Sequence, residues 1–153
     1  MGLAAVIAGS ATSPPAYRGN DLARELGPGH VRTLGCIDVG LKVEERPKGE
    51  HLELLLGNRC AHPEAIDMRR ARITGYDFEG NALDVALSDP RGEIEELHLG
   101  AAERAREIIR LERARRLKKI CFDLKKVAPD ADDARPDPLC LVRKVYTFDA
   151  EGS

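Results

Sequence analysis

Between positions 37 and 43 every second residue is apolar, and this alternation constrains the fold more than any other feature. Successive side chains of a β-strand point to opposite faces, so the stretch is typical of a strand with one buried face. The turn-forming sequence RPKGE follows, with Pro47 and Gly49. A second alternating stretch, with Leu52, Leu54 and Leu56 in phase, comes directly after it. Together the two stretches predict a β-hairpin.

Further strands are indicated by apolar or alternating stretches that are separated by turn residues such as EGN and DPRG. These stretches are RRARITGYDF (69–78), ALDVALS (82–88), EIEELHL (93–99), KICFDLKKV (119–127) and LCLVRKVYTF (139–148). The chain of 153 residues suits one domain. We therefore predict a mainly β fold, an antiparallel sandwich of about seven strands formed by residues 31–149.

The segment 100–119 is the ambiguous part of the chain. It is rich in Ala, Glu, Arg and Leu, which are strong helix formers. An apolar stripe at helical spacing begins in it, but Glu112 and Arg115 interrupt that stripe. We predict a helix or helical turn within residues 101–117. The alternative is a strand at REIIRLE (106–112), because pairing with other strands can override helix propensity.

Both ends of the chain are predicted to lie outside the domain. The sequence GLAAVIAGSA followed by TSPPAYRGN is similar to the end of a secretory signal, so residues 1–30 are predicted to be a signal remnant or flexible arm. Only NDLAREL (20–26) favours a short helix there. Residues 150–153 are predicted to be a loose tail. We expect export to the periplasm, outer envelope or exterior, with the cytoplasm as the alternative. No apolar run is long enough to span a bilayer.

The four cysteines are widely spaced and contain no CxxC pair, which argues against a zinc ribbon or a thioredoxin-like site. They are Cys36, Cys60, Cys121 and Cys140. In an exported domain they suit one or two disulfides, whereas in the cytosol they would be free thiols. The phrases CIDV and CFDL each place a cysteine on the face of the aspartate, away from the apolar stripe. Pairing is therefore expected, with the connectivity left open.

The predicted hairpin bears on one of the possible disulfides. Pairing of the two apolar stripes joins residues whose numbers have an odd sum, such as Leu41 with Leu54 or with Leu56. Cys36 and Cys60 have an even sum, so a regular register would place them on opposite faces. The register therefore disfavours a direct bridge between them unless a bulge intervenes, and bulges are common at sheet edges.

Positive charge is concentrated between residues 104 and 126, although the whole chain has a net charge of −2. Ten Lys or Arg residues and three Asp or Glu residues lie in this segment, which can form a surface for a protein or polyanionic partner. The alternative is a solvated, salt-bridged face. The net charge argues against a general nucleic-acid binder, and the absence of Trp leaves few rings for stacking. The predicted basic surface consists of Arg110, Arg113, Arg115, Arg116, Lys118 and Lys119.

Signatures of catalysis are absent from the sequence. It contains no GxSxG, no GxxxxGK[ST] and no GxGxxG after a strand. Cys60 and His62 are two positions apart, but a metal site needs three or four converging ligands. The acidic stretch DADDARPD (130–137) lacks the glycine and the closing glutamate of an EF-hand loop. We therefore predict no catalytic residues, no metal and no cofactor.

The order of several short motifs resembles small immunoglobulin-like β-sandwich domains of exported proteins. These motifs are CIDVGLKV, LGNRC at the end of the second strand, the turn DPRGEI and the late strand ICFDL, within residues 34–127. The resemblance implies an adhesion, assembly or scaffold role and carries over no catalytic residues. We expect a non-enzymatic binding or assembly module of the cell envelope. The alternatives are a cytosolic interaction or regulatory domain with a docking helix at 100–119, and a metal-assisted hydrolase that uses Cys60, His62 and a third ligand.

Overall fold

The computed structural model describes residues 16–88, 96–128, 137–145 and 147–151. Within these ranges the chain forms twelve strands, a short helix α1 (Asp21–Leu26) and two 3₁₀ turns (Pro28–His30 and Met68–Arg70). The strands are β1 (Val31–Leu34), β2 (Ile37–Arg46), β3 (Gly49–Asn58), β4 (Glu64–Ile66), β5 (Arg72–Asp77), β6 (Ala82–Asp84), β7 (Ala86–Ser88), β8 (Leu97–Leu99), β9 (Arg104–Glu112), β10 (Leu117–Asp123), β11 (Leu139–Arg143) and β12 (Thr147–Ala150).

Ten of the strands form one antiparallel sheet that curls into a nearly closed barrel. The order is β6-β5-β10-β11-β12-β2-β3-β9-β7, with β1 also paired to β2, while β4 and β8 form a separate pair. The two edge strands β6 and β7 are adjacent in the chain, separated only by the buried Val85. Because one short segment supplies both edges, the sheet must bend until they meet.

The predicted hairpin is confirmed as the longest ladder of the sheet. β2 and β3 pair over ten residues, from Ile37 opposite Asn58 to Arg46 opposite Gly49, and Leu41 faces Leu54, one of the two partners that the pattern allowed. The apolar stripes of both strands lie in the main core, whose other members are mostly aliphatic. The predicted hairpin around EGN is also present, as the pairing of β5 with β6.

The helix predicted within 101–117 is wrong, because residues 104–112 form strand β9. This strand pairs with β3 along one edge and with β7 along the other. Its side chains alternate, with Ile109 and Leu111 buried and Arg106 and Arg110 exposed. Pairing on both edges satisfies the backbone and buries the apolar face, and this outweighs the helix propensity of Ala, Glu and Arg.

Other predicted boundaries also change. The stretch predicted as one last strand, 139–148, is divided into β11 and β12, which pair with each other. Ala150, predicted to begin a loose tail, ends β12 and is buried. The described strands number twelve, where about seven were predicted. The turn predicted at 89–92 and most of the acidic stretch 130–137 lie outside the described residues.

Residues 16–30 are folded against the outer face of the β2–β3 hairpin, although they were predicted to belong to a flexible arm. Helix α1 forms where NDLAREL predicted it, and Leu22 packs with Tyr17 and Leu55 in a second buried cluster. The ring of Tyr17 lies directly on Gly57, where a side chain would collide with it. Glycine on the outer face thus allows the N-terminal segment to approach the sheet closely.

Asp38 anchors this N-terminal segment to the start of the hairpin. Its buried carboxylate accepts hydrogen bonds from the hydroxyls of Tyr17 (2.6 Å) and Thr33 (2.7 Å). Nε of Arg59 lies 3.4 Å from the same carboxylate. These partners replace the water that the carboxylate loses on burial. As predicted for the aspartate of CIDV, Asp38 faces away from the main core.

We expect Gly57→Ala to destabilise the protein, because the added methyl group would displace the ring of Tyr17. The expected loss in free energy of unfolding is about 1–3 kcal/mol, as for other overpacked sites. Chemical denaturation of G57A, Y17A and the double variant measures the coupling between the two positions. In the Y17A background the ring is gone, so G57A should cost little. Equal costs of G57A in both backgrounds would contradict this packing.

We also expect Tyr17 to make stability depend on alkaline pH. Its burial, and then its hydrogen bond to Asp38, raise the pKa of the phenol above its ordinary value. In the unfolded chain tyrosine ionises near pH ~10. The contribution is therefore complete below that pH and is lost as the pH rises through the alkaline range. Urea unfolding between pH 8 and pH 11 should show a steeper loss for the wild type than for Y17F. Parallel curves would exclude the effect.

Candidate functional site

A cleft of about 400 Å³ opens where the β2–β3 turn faces the connection from β9 to β10. Residues 45–50 line one side and residues 110–115 line the other. The cationic lining residues are Arg46, Lys48, Arg110, Arg113 and Arg115, and the acidic ones are Glu45, Glu50 and Glu112. Its electrostatic character depends on which of these charges are already paired.

Arg143, on β11, pairs with two of the three acidic residues. Its guanidinium lies 2.9 Å from the carboxylate of Glu50 and 3.0 Å from that of Glu45. The side chains of Arg143 and Glu50 are only 11% and 4% exposed, whereas that of Glu45 is 43% exposed. Arg143 therefore compensates one of these two negative charges, and the remaining one offsets only one of the five cations of the cleft lining.

The same guanidinium fixes the β9–β10 connection. It donates hydrogen bonds to the carbonyl oxygens of Leu117 (2.6 Å), Ala114 (3.1 Å) and Arg115 (3.3 Å). It also lies over the ring of Phe148, 4.6 Å from the centroid. Arg113 takes the left-handed backbone conformation, with φ at 61°, which is uncommon for a residue other than glycine. The connection is thus held in one defined shape.

The cations of the connection have no carboxylate partner among the residues that the structure describes. In the described part of the chain, no ion pair involves Arg113, Arg115 or Arg116, and all three side chains are exposed. Arg110 lies 4.0 Å from Glu112, at the limit of an ion pair. The connection therefore presents unpaired guanidinium groups beside the cleft.

Arg46 differs from these residues because it forms an ion pair with Glu44 on the same strand, β2. Its guanidinium lies 3.4 Å from Glu44, which also pairs with Lys42 at 2.9 Å. The hydrogen bond from Lys42, and then the nearby charge of Arg46, lower the pKa of the Glu44 carboxyl. The available positive charge of the cleft therefore comes mainly from the connection and from Lys48.

The structure brings three of the six residues predicted as a basic surface together at the cleft. Arg110, Arg113 and Arg115 line the cleft, and Arg116 follows in the same connection. Lys118 and Lys119 lie on β10, where their ammonium groups are 5.8 Å from the ring of Phe78 and 5.6 Å from that of Tyr76, respectively. Lys119 also pairs with Glu151 at 3.0 Å. These two lysines therefore have other contacts and do not line the cleft.

Sequence reasoning missed Arg143 and Glu50, which organise the cleft. The sequence contains an indication of their burial, because Glu50 is in phase with the apolar residues Leu52 and Leu54 of its strand. Arg143 is likewise in phase with Leu139 and Leu141. A charged residue at an inward position of each of two strands is typical of a buried ion pair.

A second basic cleft of about 750 Å³ lies elsewhere on the surface. Its charged lining residues are Arg70, Arg72, Lys125, Lys126 and Asp123. Two of its cations are near carboxylates, since Arg70 lies 3.7 Å from Asp67 and Lys125 lies 3.8 Å from Asp123. The buried Asp67 accepts a hydrogen bond from the amide of Arg69 beside this cleft, whereas Arg143 donates to three carbonyl oxygens beside the first one.

All four cysteines are paired, as Cys36–Cys60 and Cys121–Cys140. Cys121 and Cys140 lie directly opposite each other on β10 and β11, with Cα atoms 4.0 Å apart. These two disulfides favour an oxidising, exported location.

The register inference that disfavoured the Cys36–Cys60 bridge is wrong. The paired part of the hairpin ends at Ile37 and Asn58, so both cysteines lie beyond the regular ladder. There the chain bends, and the amide of Arg59 donates a hydrogen bond to the carbonyl of Cys36 (2.8 Å). This bend brings the Cα atoms of the two cysteines to 5.4 Å.

Comparison of the chain with protein-family models, with curated proteins and with solved structures finds no match. The geometry of the cleft and its charges is therefore the basis for a functional proposal. No helix in the described ranges has the length and apolar character needed to cross a membrane.

We expect the two partners of Arg143 to differ in their contribution to stability. Glu50→Gln keeps the shape of a buried side chain but removes its charge, and should cost about 3 kcal/mol of unfolding free energy. Glu45→Gln changes a half-exposed group and should cost less than about 1 kcal/mol. Chemical denaturation of both variants at neutral pH provides the comparison. A loss from E45Q as large as that from E50Q would refute the assignment of Glu50 as the main partner.

Proposed function

We propose that the protein is a non-enzymatic binding or assembly module of the cell envelope that captures an anionic partner at the basic cleft. The observation that carries this proposal is the charge of Arg113 and Arg115, which line the cleft on a connection fixed by Arg143 and form no ion pair within the described part of the chain, with Arg116 next to them in sequence. A connection already held in its binding shape loses little conformational entropy when a partner binds. Arginine is also suited to carboxylate and phosphate groups, because its planar guanidinium donates two parallel hydrogen bonds.

The partner favoured by the cleft is an acidic segment of another protein. Glu45 and Glu112 stand among the cations and can accept hydrogen bonds from the amide groups of a peptide. A uniformly charged polymer, such as a sulfated polysaccharide, would meet repulsion from the same carboxylates. Because the cations are exposed to solvent, binding should weaken as salt is added.

The envelope location rests on the two disulfides and on the resemblance of the sequence to exported immunoglobulin-like domains. Antiparallel β architecture is compatible with that resemblance, whereas twelve described strands in a nearly closed barrel differ from a sandwich of seven. The immunoglobulin-like relationship therefore contributes only the class of role, a scaffold that presents a binding surface. The sequence supports a non-enzymatic role through its lack of nucleophile and phosphate-loop signatures.

The cytosolic alternative assumed that residues 100–119 form a docking helix. Most of that segment instead belongs to the strands β9 and β10. The second premise of this alternative, four free thiols, is replaced by two disulfides. The hydrolase alternative required Cys60 as a metal ligand, and this cysteine is bonded to Cys36. Neither alternative is favoured by a specific observation at the basic cleft.

Reversing the charge of the connection should abolish partner capture. We expect the triple variant R113E/R115E/R116E to bind an immobilised peptide of alternating Glu and Gly residues at least tenfold more weakly than the wild type at low salt, and to lose most of the salt dependence. The matched control is R72E/K125E/K126E, which changes the net charge equally in the second cleft. Biolayer interferometry at two salt concentrations measures both variants.

Three outcomes would count against the proposal. Unchanged binding by the triple variant would exclude the connection as the binding surface. An equal loss in the control would show that only net charge matters. Retention on heparin without binding of the acidic peptide would replace the protein partner with a polysaccharide.

A further inference from the structure

A second group of reactive side chains lies at the opposite end of the β2–β3 hairpin from the basic cleft. The sulfur atoms of Cys36 and Cys60 and a carboxylate oxygen of Glu64 all lie within 4.8 Å of one another. Oε1 of Glu64 is 3.5 Å from the sulfur of Cys60 and 3.2 Å from Nδ1 of His62. Two sulfur atoms and a carboxylate therefore converge on one small region, and the imidazole of His62 lies beside the carboxylate, outside that group.

The loop that carries these side chains is fixed by Asn58, which is fully buried. Its Oδ1 accepts a hydrogen bond from the amide of Cys60 (2.7 Å). Its Nδ2 donates to the carbonyl oxygens of His62 and Gly100, both at 3.0 Å. The backbone of residues 58–62 is thereby held in place by one satisfied amide side chain.

Glu64 is placed by a different element. It begins β4 and pairs with Leu99 of β8, while its side chain is only 22% exposed. The imidazole of His62 is mostly exposed and can turn about its side-chain bonds toward the sulfur atoms. The arrangement thus combines three fixed groups with one adjustable group.

We propose that this region is a redox-controlled zinc site, which forms when the Cys36–Cys60 disulfide is reduced. The ligands are the thiolates of Cys36 and Cys60, the carboxylate of Glu64 and the imidazole of His62. Four ligands of this kind suit the tetrahedral geometry of zinc, with bonds of about 2.0–2.3 Å. Thiolate ligands also favour zinc over magnesium or calcium. The inference goes beyond the proposed capture of an anionic partner and does not depend on it.

The reduction requires a dithiol reductant. The reductant loses two protons and two electrons and forms its own disulfide, while the bond between Cys36 and Cys60 breaks and each sulfur gains a proton. A zinc ion then displaces these two protons and bonds to both thiolates. In oxidising surroundings the disulfide connects Cys36 to Cys60. In reducing surroundings the zinc ion connects the same two residues.

The disulfide between Cys121 and Cys140 can be compared with the proposed zinc site. Among the residues that the structure describes, the group at Cys36 is the only cluster of potential metal ligands of this kind, and it does not include Cys121 or Cys140. Opening of the second disulfide should therefore create two thiols without a metal site.

The test uses the full chain, reduced with a phosphine and titrated with Co²⁺ under nitrogen, followed by competition with Zn²⁺. We expect one Co²⁺ per chain, with the absorption bands of tetrahedral thiolate coordination, and no binding by the oxidised protein. E64Q and H62Q should each weaken binding roughly tenfold or more, since each removes a ligand. Both variants retain the cysteines, so their folding can be verified in the oxidised form. C121S/C140S should bind as the wild type does.

A second measurement distinguishes the site from general binding to thiols. In the reduced protein, zinc should slow the alkylation of Cys36 and Cys60 by iodoacetamide, as read by mass spectrometry, and leave the alkylation rates of Cys121 and Cys140 the same as without zinc. The inference is overturned if the reduced protein binds no metal. It is also overturned if E64Q and H62Q bind with wild-type affinity, or if all four cysteines are protected equally.

Discussion

The buried ion pair between Arg143 and Glu50 connects parts of the barrel that the sheet does not pair directly. β11 and β3 are separated in the sheet by β12 and β2, yet Arg143 reaches from β11 to Glu50 on β3. Taking these charges out of water is costly, and the cost is offset only if the guanidinium meets enough acceptors. Two carboxylates and three carbonyl oxygens supply them. One residue therefore both closes this end of the barrel and shapes the basic cleft.

The hairpin on which Glu50 lies is covered on both faces, and this explains an irregularity in its sequence. In HLELLLG, Leu52, Leu54 and Leu56 point into the barrel, whereas Leu55 points outward and is also buried. The cover on the outer face is the N-terminal segment, which packs Tyr17 and Leu22 against Leu55. An apolar residue at an outward position of an otherwise alternating strand, here Leu55, thus indicates that other residues cover the outer face of the sheet.

The features that could be predicted from the sequence are those set by neighbouring residues. Period-two alternation and a turn sequence determine the β2–β3 hairpin, because both strands and their connection lie within about twenty residues. β9 was predicted only as the alternative to a helix, since its strand character comes from pairing with β3 and β7 and not from its neighbours in the chain. The division between β11 and β12 was missed because RKVY contains no glycine or proline. Lys144 nevertheless closes the turn by donating its amide to the carbonyl of Thr147 (2.7 Å).

The candidate site was predictable only in part for the same reason. A count of charges along the chain located the β9–β10 connection, since that property is local. It included Lys118 and Lys119, whose partners lie on other strands or at the C-terminal end. It could not find Arg143, because the role of this residue depends on contacts with segments far away in the sequence. The pairing of strands around the barrel determines which charged side chains lie close to a partner of opposite charge and which do not.

The two proposed sites lie at opposite ends of the β2–β3 ladder. Substitutions at one site are therefore expected to leave the other site unchanged. The basic cleft adjoins the turn at Arg46 and Gly49, while Cys36, Cys60 and Asn58 adjoin the open end. Nine residue steps of about 3.4 Å place these ends roughly 30 Å apart. Substitutions that are so distant and share no partner are expected to act additively. At the open end Arg59 contacts Asp38 through its side chain and the carbonyl of Cys36 through its amide, so one residue connects the disulfide loop to the anchor of the N-terminal segment.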